Sequence, residues 1–477
     1  MKILFASSEC APFFKTGGLG DVAGALPKEL RKKGEDIRVV LPFPKQMPQK
    51  YQEQCEDILN FNVQVGWREQ YCGVKRLVLD DVTYYFLDNL YYFGARDNLY
   101  GYYDDGERFA WFSMAIIEMM ERVDFVPDIV HVNDFHTAMV PFLLKEKYRW
   151  INAYKDIQTV LTIHNIEFQG QYAPDVLPDL FGMGMERYYD GAARYGDGIN
   201  YLKAGILYAG KVNTVSPSYA AEIQTPEFGK GLDGILRTQQ YKLSGIVNGI
   251  DYDTNDPETD PLIPGHFSAT DLSGKTVNKR AVQQKMGLPE NPDIPLLAIV
   301  SRLTYQKGFH LVLAEMENLL QHNVQLVLLG TGDPNFENSF RYFAEKYPDK
   351  FSASISFDVG LAQLFYAGAD LFLMPSAFEP CGLSQMISMR YGTLPVVHEI
   401  GGLKDTVIPF NPLTHEGTGF GFAQFDSYYL MDAIEKALRF YWHDRSGWQE
   451  MQQRAMEKDF SWTTSSEQYL TLYQQLV

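Results

Sequence analysis

Four cysteines in 477 residues (Cys10, Cys55, Cys72 and Cys381) form no C-x-x-C pair and no Cys/His cluster with zinc spacing. Neither a disulfide framework nor a structural metal is indicated, and a reducing cytoplasm is the expected compartment. Long hydrophobic runs are equally scarce. The opening MKILFASSEC has a five-residue apolar stretch before two serines and a glutamate, too short for a signal-peptide core. No apolar run approaches the roughly 20 residues of a membrane span. Positive charge is in deficit as well. With 42 Lys and Arg against 60 Asp and Glu, the formal net charge is −18, which argues against nucleic acid or an anionic membrane as a general partner. Any phosphate site must therefore be local. Low-complexity segments and short-period repeats are missing too.

What is present is ordinary globular composition, 45% apolar and 21% charged, in a chain too long for one core. Two large domains are expected. Residues 2–6 (KILFA) read as a strand, and after a glycine loop Val22, Leu26 and Leu30 recur every fourth residue up to Arg31-Lys32-Lys33-Gly34, a helix with a cationic last turn and a glycine stop. Pro27 inside it predicts a kink or a late start. IRVVLP supplies a second strand. The same grammar returns at LLAIV, SRLTYQKG, FHLVLAEMENLLQHN and VQLVLLG. Two βαβ starts, each with a cationic glycine-bearing loop after the first strand, predict two doubly wound α/β domains in tandem. The proline-rich 252–295 stretch reads as the connection between them. Tyr469, Leu472, Tyr473 and Leu476 form one stripe of a C-terminal helix that needs an apolar partner.

In such sheets ligands sit beyond the carboxyl ends of the strands, so the chemistry is sought in the loops that follow them. KTGGLGD (15–21) places three glycines within four positions behind a lysine. It is not a dinucleotide fingerprint, because Gly18, Gly20 and Gly24 are spaced G-x-G-x-x-x-G and no acid ends the second strand; nor is it a Walker loop, because the lysine precedes the glycines. Two readings remain: amides and a helix N-terminus facing an anion with Lys15 adding charge, or a tight turn with a solvated lysine. Arg302 and Lys307 either converge on a diphosphate or decorate a helix start. Glu379 in FEPCGLSQ either binds sugar hydroxyls or caps a helix. Cys381 has no paired histidine in sequence and reads as a packed small residue. His136 and His164 each follow an apolar strand, as core or as site residues. Asp251-Tyr252-Asp253 has the D-x-D form of some metal-dependent transferases but lies in a turn.

Eight segments in order, KTGGLGDV, VNDFHT, TIHNIEFQG, TVSPSYAAEI, VNGID, VSRLTYQKG, EPCGLSQ and GGLKDTV, span nearly the whole chain. Together they resemble the bacterial and plant glycogen (starch) synthases. The resemblance implies an α/β fold of two Rossmann-like domains facing a deep interdomain cleft, the GT-B architecture. It places a glycine-loop, acceptor-side domain at 1–243, a nucleotide-sugar domain at 244–456, and a helix at 457–477 docking back on the first. It implies a cytoplasmic hexosyltransferase that moves glucose from ADP-glucose to the non-reducing end of an α-1,4-glucan with retention, needing no metal and no cofactor. By the same resemblance Lys15 and Gly18 contact the donor's diphosphate and glucose, with Asp21 in support, and Arg302 and Lys307 neutralise the departing diphosphate. Glu379 holds glucose hydroxyls, the amides of Cys381, Gly382 and Leu383 bind sugar or phosphate, and Asn248 positions the donor. His164 lines the anomeric centre, while Asp134 and His136 lie near donor sugar and acceptor.

Four positions depart from the family's pattern: Asn255 for a tryptophan, Tyr305 for a smaller polar residue, His398 for an arginine and Gly210 for an aspartate. Front-face displacement is the expected mechanism, with double displacement through a carboxylate as the alternative. Rival functions are a related transferase using UDP-glucose or another acceptor, and a catalytically silent glucan-binding protein.

Overall fold

A computed structural model describes residues 1–477 as two compact units, Met1–Ile246 with Trp462–Val477, and Val247–Ser461. In the first unit, β1 (Lys2–Ala6), β2 (Asp36–Pro42), β3 (Glu56–Val65), β4 (Arg68–Leu79), β5 (Val82–Asp88), β6 (Ile129–Asn133), β7 (Gln158–Ile163), β8 (Lys211–Thr214) and β9 (Leu243–Gly245) make one sheet, ordered β9-β8-β7-β6-β1-β2-β5-β4-β3. The strands from β9 to β5 run parallel, and the central ones, β1 and β6, are buried over nearly their whole length, as in a sheet covered by helices on both faces. The hairpin β3–β4 extends this sheet antiparallel at one edge.

The helix after β1, α1 (Gly18–Lys32), buries Leu19, Val22, Leu26 and Leu30. It starts at Gly18 and continues through Pro27, so the late start predicted for it does not occur. Pro27 is itself on the buried face, and packing of that face offsets the missing hydrogen bond. Two further helices, α2 (Asp105–Arg122) and α3 (Asp134–Glu146), pack side by side on the sheet.

The second unit has a six-stranded, all-parallel sheet built from β10 (Leu296–Val300), β11 (Gln325–Leu329), β12 (Phe351–Ser354), β13 (Leu371–Met374), β14 (Leu394–His398) and β15 (Phe420–Phe422). Their order is β12-β11-β10-β13-β14-β15. The helices that follow β10, β11, β12 and β13 are α4 (Phe309–Leu319), α5 (Pro334–Lys346), α6 (Val359–Gly368) and α7 (Ser384–Arg390).

Both sheets change winding direction beside their first strand. β1 lies between β2 and β6, and β10 lies between β11 and β13. At such a switch point the loops leaving two adjacent strands diverge to opposite faces and open a crevice at their carboxyl ends. In the first unit these loops begin at Ser7 and Asp134; in the second they begin at Ser301 and Pro375.

The chain ends in α8 (Trp462–Gln474), which belongs to the first unit. Its Tyr473 hydroxyl hydrogen-bonds His131 Nδ1 at 2.6 Å, and its Tyr469 hydroxyl accepts from Asn213 Nδ2 at 3.2 Å. The units divide three residues beyond the expected 243, because β9 pairs with β8. They divide again at 461 rather than 456, because the Ile250 amide donates to Phe460 O at 2.8 Å and keeps that segment in the second unit. No helix is long and apolar enough to cross a membrane.

Candidate active site

In the first unit, the chain leaving β1 reads Ser7-Ser8-Glu9, and Glu9 is only 2% exposed. Its Oε1 accepts from the amides of Gly17 at 3.1 Å and Gly20 at 3.0 Å. Its Oε2 accepts from the Thr16 amide at 3.2 Å, the Thr16 hydroxyl at 2.7 Å and the Tyr100 hydroxyl at 2.9 Å. The glycine loop thus does face an anion, but for three of its amides that anion is the chain's own carboxylate. Gly20 must be glycine here, because a Cβ would come within 2.4 Å of Lys15 Cβ and 3.2 Å of Glu9 Oε1. Gly17 and Gly18, by contrast, border open space. Lys15 points outward and pairs with Asp21 at 2.6 Å. Such an exposed pair is worth little in water, so the ammonium can exchange partners at small cost.

Beside this loop, at the ends of β6 and β7, lie Asp134 and His164. Asp134 opens α3 with φ of +54°, a left-handed backbone unusual for a non-glycine residue. Its Oδ1 accepts the His164 amide at 2.7 Å. Burial pushes its carboxyl up to about 7, against the opposing effect of the His164 and Asn165 amides. His164 Nε2 lies 2.8 Å from Asn133 Oδ1, and Asn133 Nδ2 donates to Ala6 O at 2.9 Å. The Asn133 oxygen is therefore the acceptor, so His164 carries its proton on Nε2 and leaves Nδ1 as a lone pair. Burial holds His164 down to about 3, so the ring is neutral at working pH. His136 has the same low value from the same cause. It is boxed by Tyr100, Phe109 and Phe135, with ring centroids at 4.6, 4.7 and 3.9 Å.

In the second unit, the loops after β10 and β13 meet. Lys307 Nζ contacts Glu379 Oε2 at 2.8 Å, and the Ser376 hydroxyl donates to the same oxygen at 3.0 Å. Arg302, on the same loop as Lys307, is exposed and makes no ion pair. The two cations border a small cleft of about 160 Å3 lined also by Ser301, Ser376 and Ser384. Cys381 is buried, and its thiol is pushed up to about 12 chiefly by burial. It is a packed thiol. Gly382 adopts φ of +76°, and a Cβ there would meet Gln385 Oε1 at 2.6 Å. Its backbone leads through Leu383 into α7. Asn248 is buried, its amide hydrogen-bonds Cys381, and its Oδ1 has no partner. Of the sequence-derived candidates, Arg302 and Lys307 line this cleft and Glu379 is joined to it through Lys307 and Ser376, while Cys381, Gly382 and Leu383 continue the Glu379 loop and Asn248 is bonded to Cys381. Asp251 is occupied otherwise: its carboxylate accepts from the Asp253 amide at 2.9 Å and the Thr254 hydroxyl at 2.7 Å, closing a turn.

Residues 2–238 match the family described as starch synthase catalytic domain, and residues 280–456 match glycosyl transferases group 1. Glycogen synthases of Ligilactobacillus salivarius and Lactococcus lactis are 61% and 62% identical to this chain, with complete coverage of both proteins. The chain belongs to the glycogen (starch) synthase family. The solved catalytic domain of starch synthase IV from Arabidopsis thaliana, bound to ADP and acarbose, superposes with a TM-score of 0.90 at 32% identity, covering 100% of this chain and 99% of that one. A sucrose-phosphate synthase from Thermosynechococcus elongatus, at 18% identity and a TM-score of 0.62 over 100% and 98% of the two chains, shares the fold. Like the rest of its family, this chain is a glycosyltransferase of the GT-B fold.

The departures from the glycogen synthase pattern resolve into local packing. His398, where an arginine is usual, hydrogen-bonds Ser376 O at 2.7 Å and stacks on Phe422; burial lowers its pKa, so it does not replace the lost charge. Asn255 Nδ2 donates to Asp251 O at 3.0 Å. Tyr305, 65% exposed, stacks on His310 with ring centroids 4.0 Å apart. Gly210 leaves room for Leu476 of the C-terminal segment.

Sequence reasoning missed Glu9, Tyr100 and Ser376. The signal for Glu9 was present: an acid two residues after two serines' start, directly behind a buried strand, and ahead of a glycine loop. It also missed Phe357, which stands 89% exposed after β12, at the carboxyl edge of the sheet.

Proposed function

We propose that the chain transfers glucose from ADP-glucose to the 4-hydroxyl at the non-reducing end of an α-1,4-glucan, with retention, as a cytoplasmic glycogen synthase. The observation that carries this reading is the exposed, unpaired Arg302 beside the Lys307–Glu379 pair, in a chain whose net charge is otherwise −18. A cation pair in that setting is a device for a leaving diphosphate, whose developing charge needs preorganised partners. The complex of the Arabidopsis relative with ADP and acarbose supports an adenine nucleotide and a glucan chain as the two substrates.

In this reading Arg302 and Lys307 take the charge that develops on the diphosphate, and Glu379 both orients Lys307 and accepts glucose hydroxyls. The amides of Cys381, Gly382 and Leu383 hold sugar or phosphate, and Asn248 uses its spare oxygen to position the donor. In the first unit Lys15 and Gly18 serve the diphosphate and glucose, with Asp21 supporting the loop. Neutral His164 and its neighbour Asp134 line the sugar's reacting face, and His136 shapes the acceptor side. The bond from C1 to the β-phosphate oxygen breaks as the acceptor's O4 bonds C1 on the same face. The leaving phosphate oxygen takes the O4 proton. No metal or cofactor enters the scheme. The exposed ring of Phe357 offers a stacking face for the base.

Incorporation of radiolabelled glucose into glycogen tests the proposal, with ADP-glucose and UDP-glucose compared at equal concentration. Faster incorporation from ADP-glucose is expected. Equal or faster incorporation from UDP-glucose overturns the donor assignment, and none from either overturns the function.

A further inference from the structure

We propose that Glu9 is the positioning residue of the glycine loop, selecting which of its amides the donor meets. The inference rests on the donor-transfer reading above. Five donors point at this one carboxylate, three from the loop's Thr16, Gly17 and Gly20 amides, one from the Thr16 hydroxyl and one from Tyr100. A carboxylate has roughly four lone-pair sites, so Glu9 is saturated and acts only as an acceptor. It makes no ion pair with any lysine or arginine, including Lys15 six residues along, which pairs instead with Asp21. The Glu9 main chain is fixed by the Ser7 hydroxyl, which donates to Glu9 O at 2.6 Å and accepts from the Glu9 amide at 3.3 Å, so the carboxylate, bonded only to the loop and Tyr100, in turn holds the loop.

This arrangement changes what the loop can do. Its amides at 16, 17 and 20 are spent on Glu9, and a phosphate cannot lie across them. The Gly18 and Leu19 amides belong to the first turn of α1, where no carbonyl precedes them in the helix, and neither makes a hydrogen bond. These two amides and the Lys15 ammonium are what the loop presents. Gly18 borders open space, so a ligand can approach its backbone closely. Tyr100 completes the device from the far side: its hydroxyl also hydrogen-bonds Ser8 Oγ at 2.7 Å, and its ring packs against His136. The loop's position is thereby tied to the wall that carries His136.

The test uses the full-length enzyme and the variants Glu9→Gln, Tyr100→Phe and Thr16→Val. A glutamine presents an NH2 group to one side of an all-donor cradle, which must then open. Amide hydrogen exchange over residues 14–21, measured without substrates, is expected to accelerate clearly in Glu9→Gln and by less in the other two. Misplacement on the ångström scale costs catalysis up to about 100-fold, so kcat/KM for ADP-glucose is expected to fall by about 10- to 100-fold in Glu9→Gln. The KM for glycogen is expected to stay within about twofold, a split that a general loss of folding would not produce. Unchanged loop exchange in Glu9→Gln overturns the inference, as does accelerated exchange with wild-type kcat/KM. If Glu9→Gln does not fold, Tyr100→Phe and Thr16→Val decide it by the same two readouts. The exchange measurement needs no turnover, so failure of the transferase reading would show separately, as absent incorporation by the wild type.

Discussion

The two loops that leave the first strand of each sheet start from the same topology and solve opposite problems. In the first unit the loop's amides close on an internal anion, Glu9, its lysine is engaged by Asp21, and the neighbouring histidines are neutral. In the second unit Arg302 has no acidic partner and Lys307 shares a single carboxylate with a serine. One loop is held in shape by charge kept inside; the other keeps charge available at the crevice. Shape and charge are thus divided between two copies of one βαβ grammar, and a switch point dictates where a site forms without dictating what it offers.

Removing the available charge is the severest way to break this contrast. Lys307→Ala is expected to lower kcat by at least about 100-fold, about 3 kcal/mol of transition-state stabilisation, because a preorganised charge is lost and Glu379 is left buried without its cation. Lys15→Ala in the first unit is expected to act chiefly on donor KM and by a smaller factor, since that lysine is exposed and already paired. Steady-state kinetics with ADP-glucose compare the two directly, and equal losses of kcat would erase the distinction.

A pH profile sharpens it further. Asp134 has its carboxyl pushed up to about 7 by burial, from an ordinary 3.8. With Asp134 lining the sugar's reacting face, its anion is placed to stabilise positive charge developing at C1, so kcat is expected to rise with pH up to about 7, by up to tenfold per unit on the acid side, and Asp134→Asn is expected to flatten that rise. Stability moves the other way. The folded chain favours the protonated carboxyl, so this group's contribution is full at low pH and declines as pH rises from 3.8 to about 7. Thermal unfolding across that window checks the sign.

The smallest effect tests an element outside both loops. Tyr473→Phe removes the hydroxyl on His131 Nδ1 and leaves a buried ring nitrogen unpaired, costing about 1 kcal/mol. For a unit of this size that lowers the unfolding temperature by about 2–4 °C, with kcat unchanged.

The parallel strands and the cationic loops were legible because apolar runs punctuated by glycine have few competing interpretations. The β3–β4 hairpin was not, since Glu56–Val65 and Arg68–Leu79 mix exposed and buried positions at a sheet edge and give no clean period. Lys307 and Glu379 could be named from sequence, but their contact spans 72 positions and follows only from the strand order. The role of Glu9 was hidden differently. A glycine loop advertises an anion, and nothing in its spacing tells whether that anion arrives from solution or from eleven residues upstream.

The C-terminal helix carries a consequence for how the chain is made. The second unit is contiguous from Val247 to Ser461, while the first is written in two places, with its last piece at Trp462–Val477. During synthesis the second unit can close its core once Ser461 has been added, while the first still waits for Trp462–Val477. Until α8 emerges from the ribosome, His131 lacks Tyr473, and the apolar side chains beneath that helix lie open to solvent and to chaperones. The order of completion reverses the order of translation.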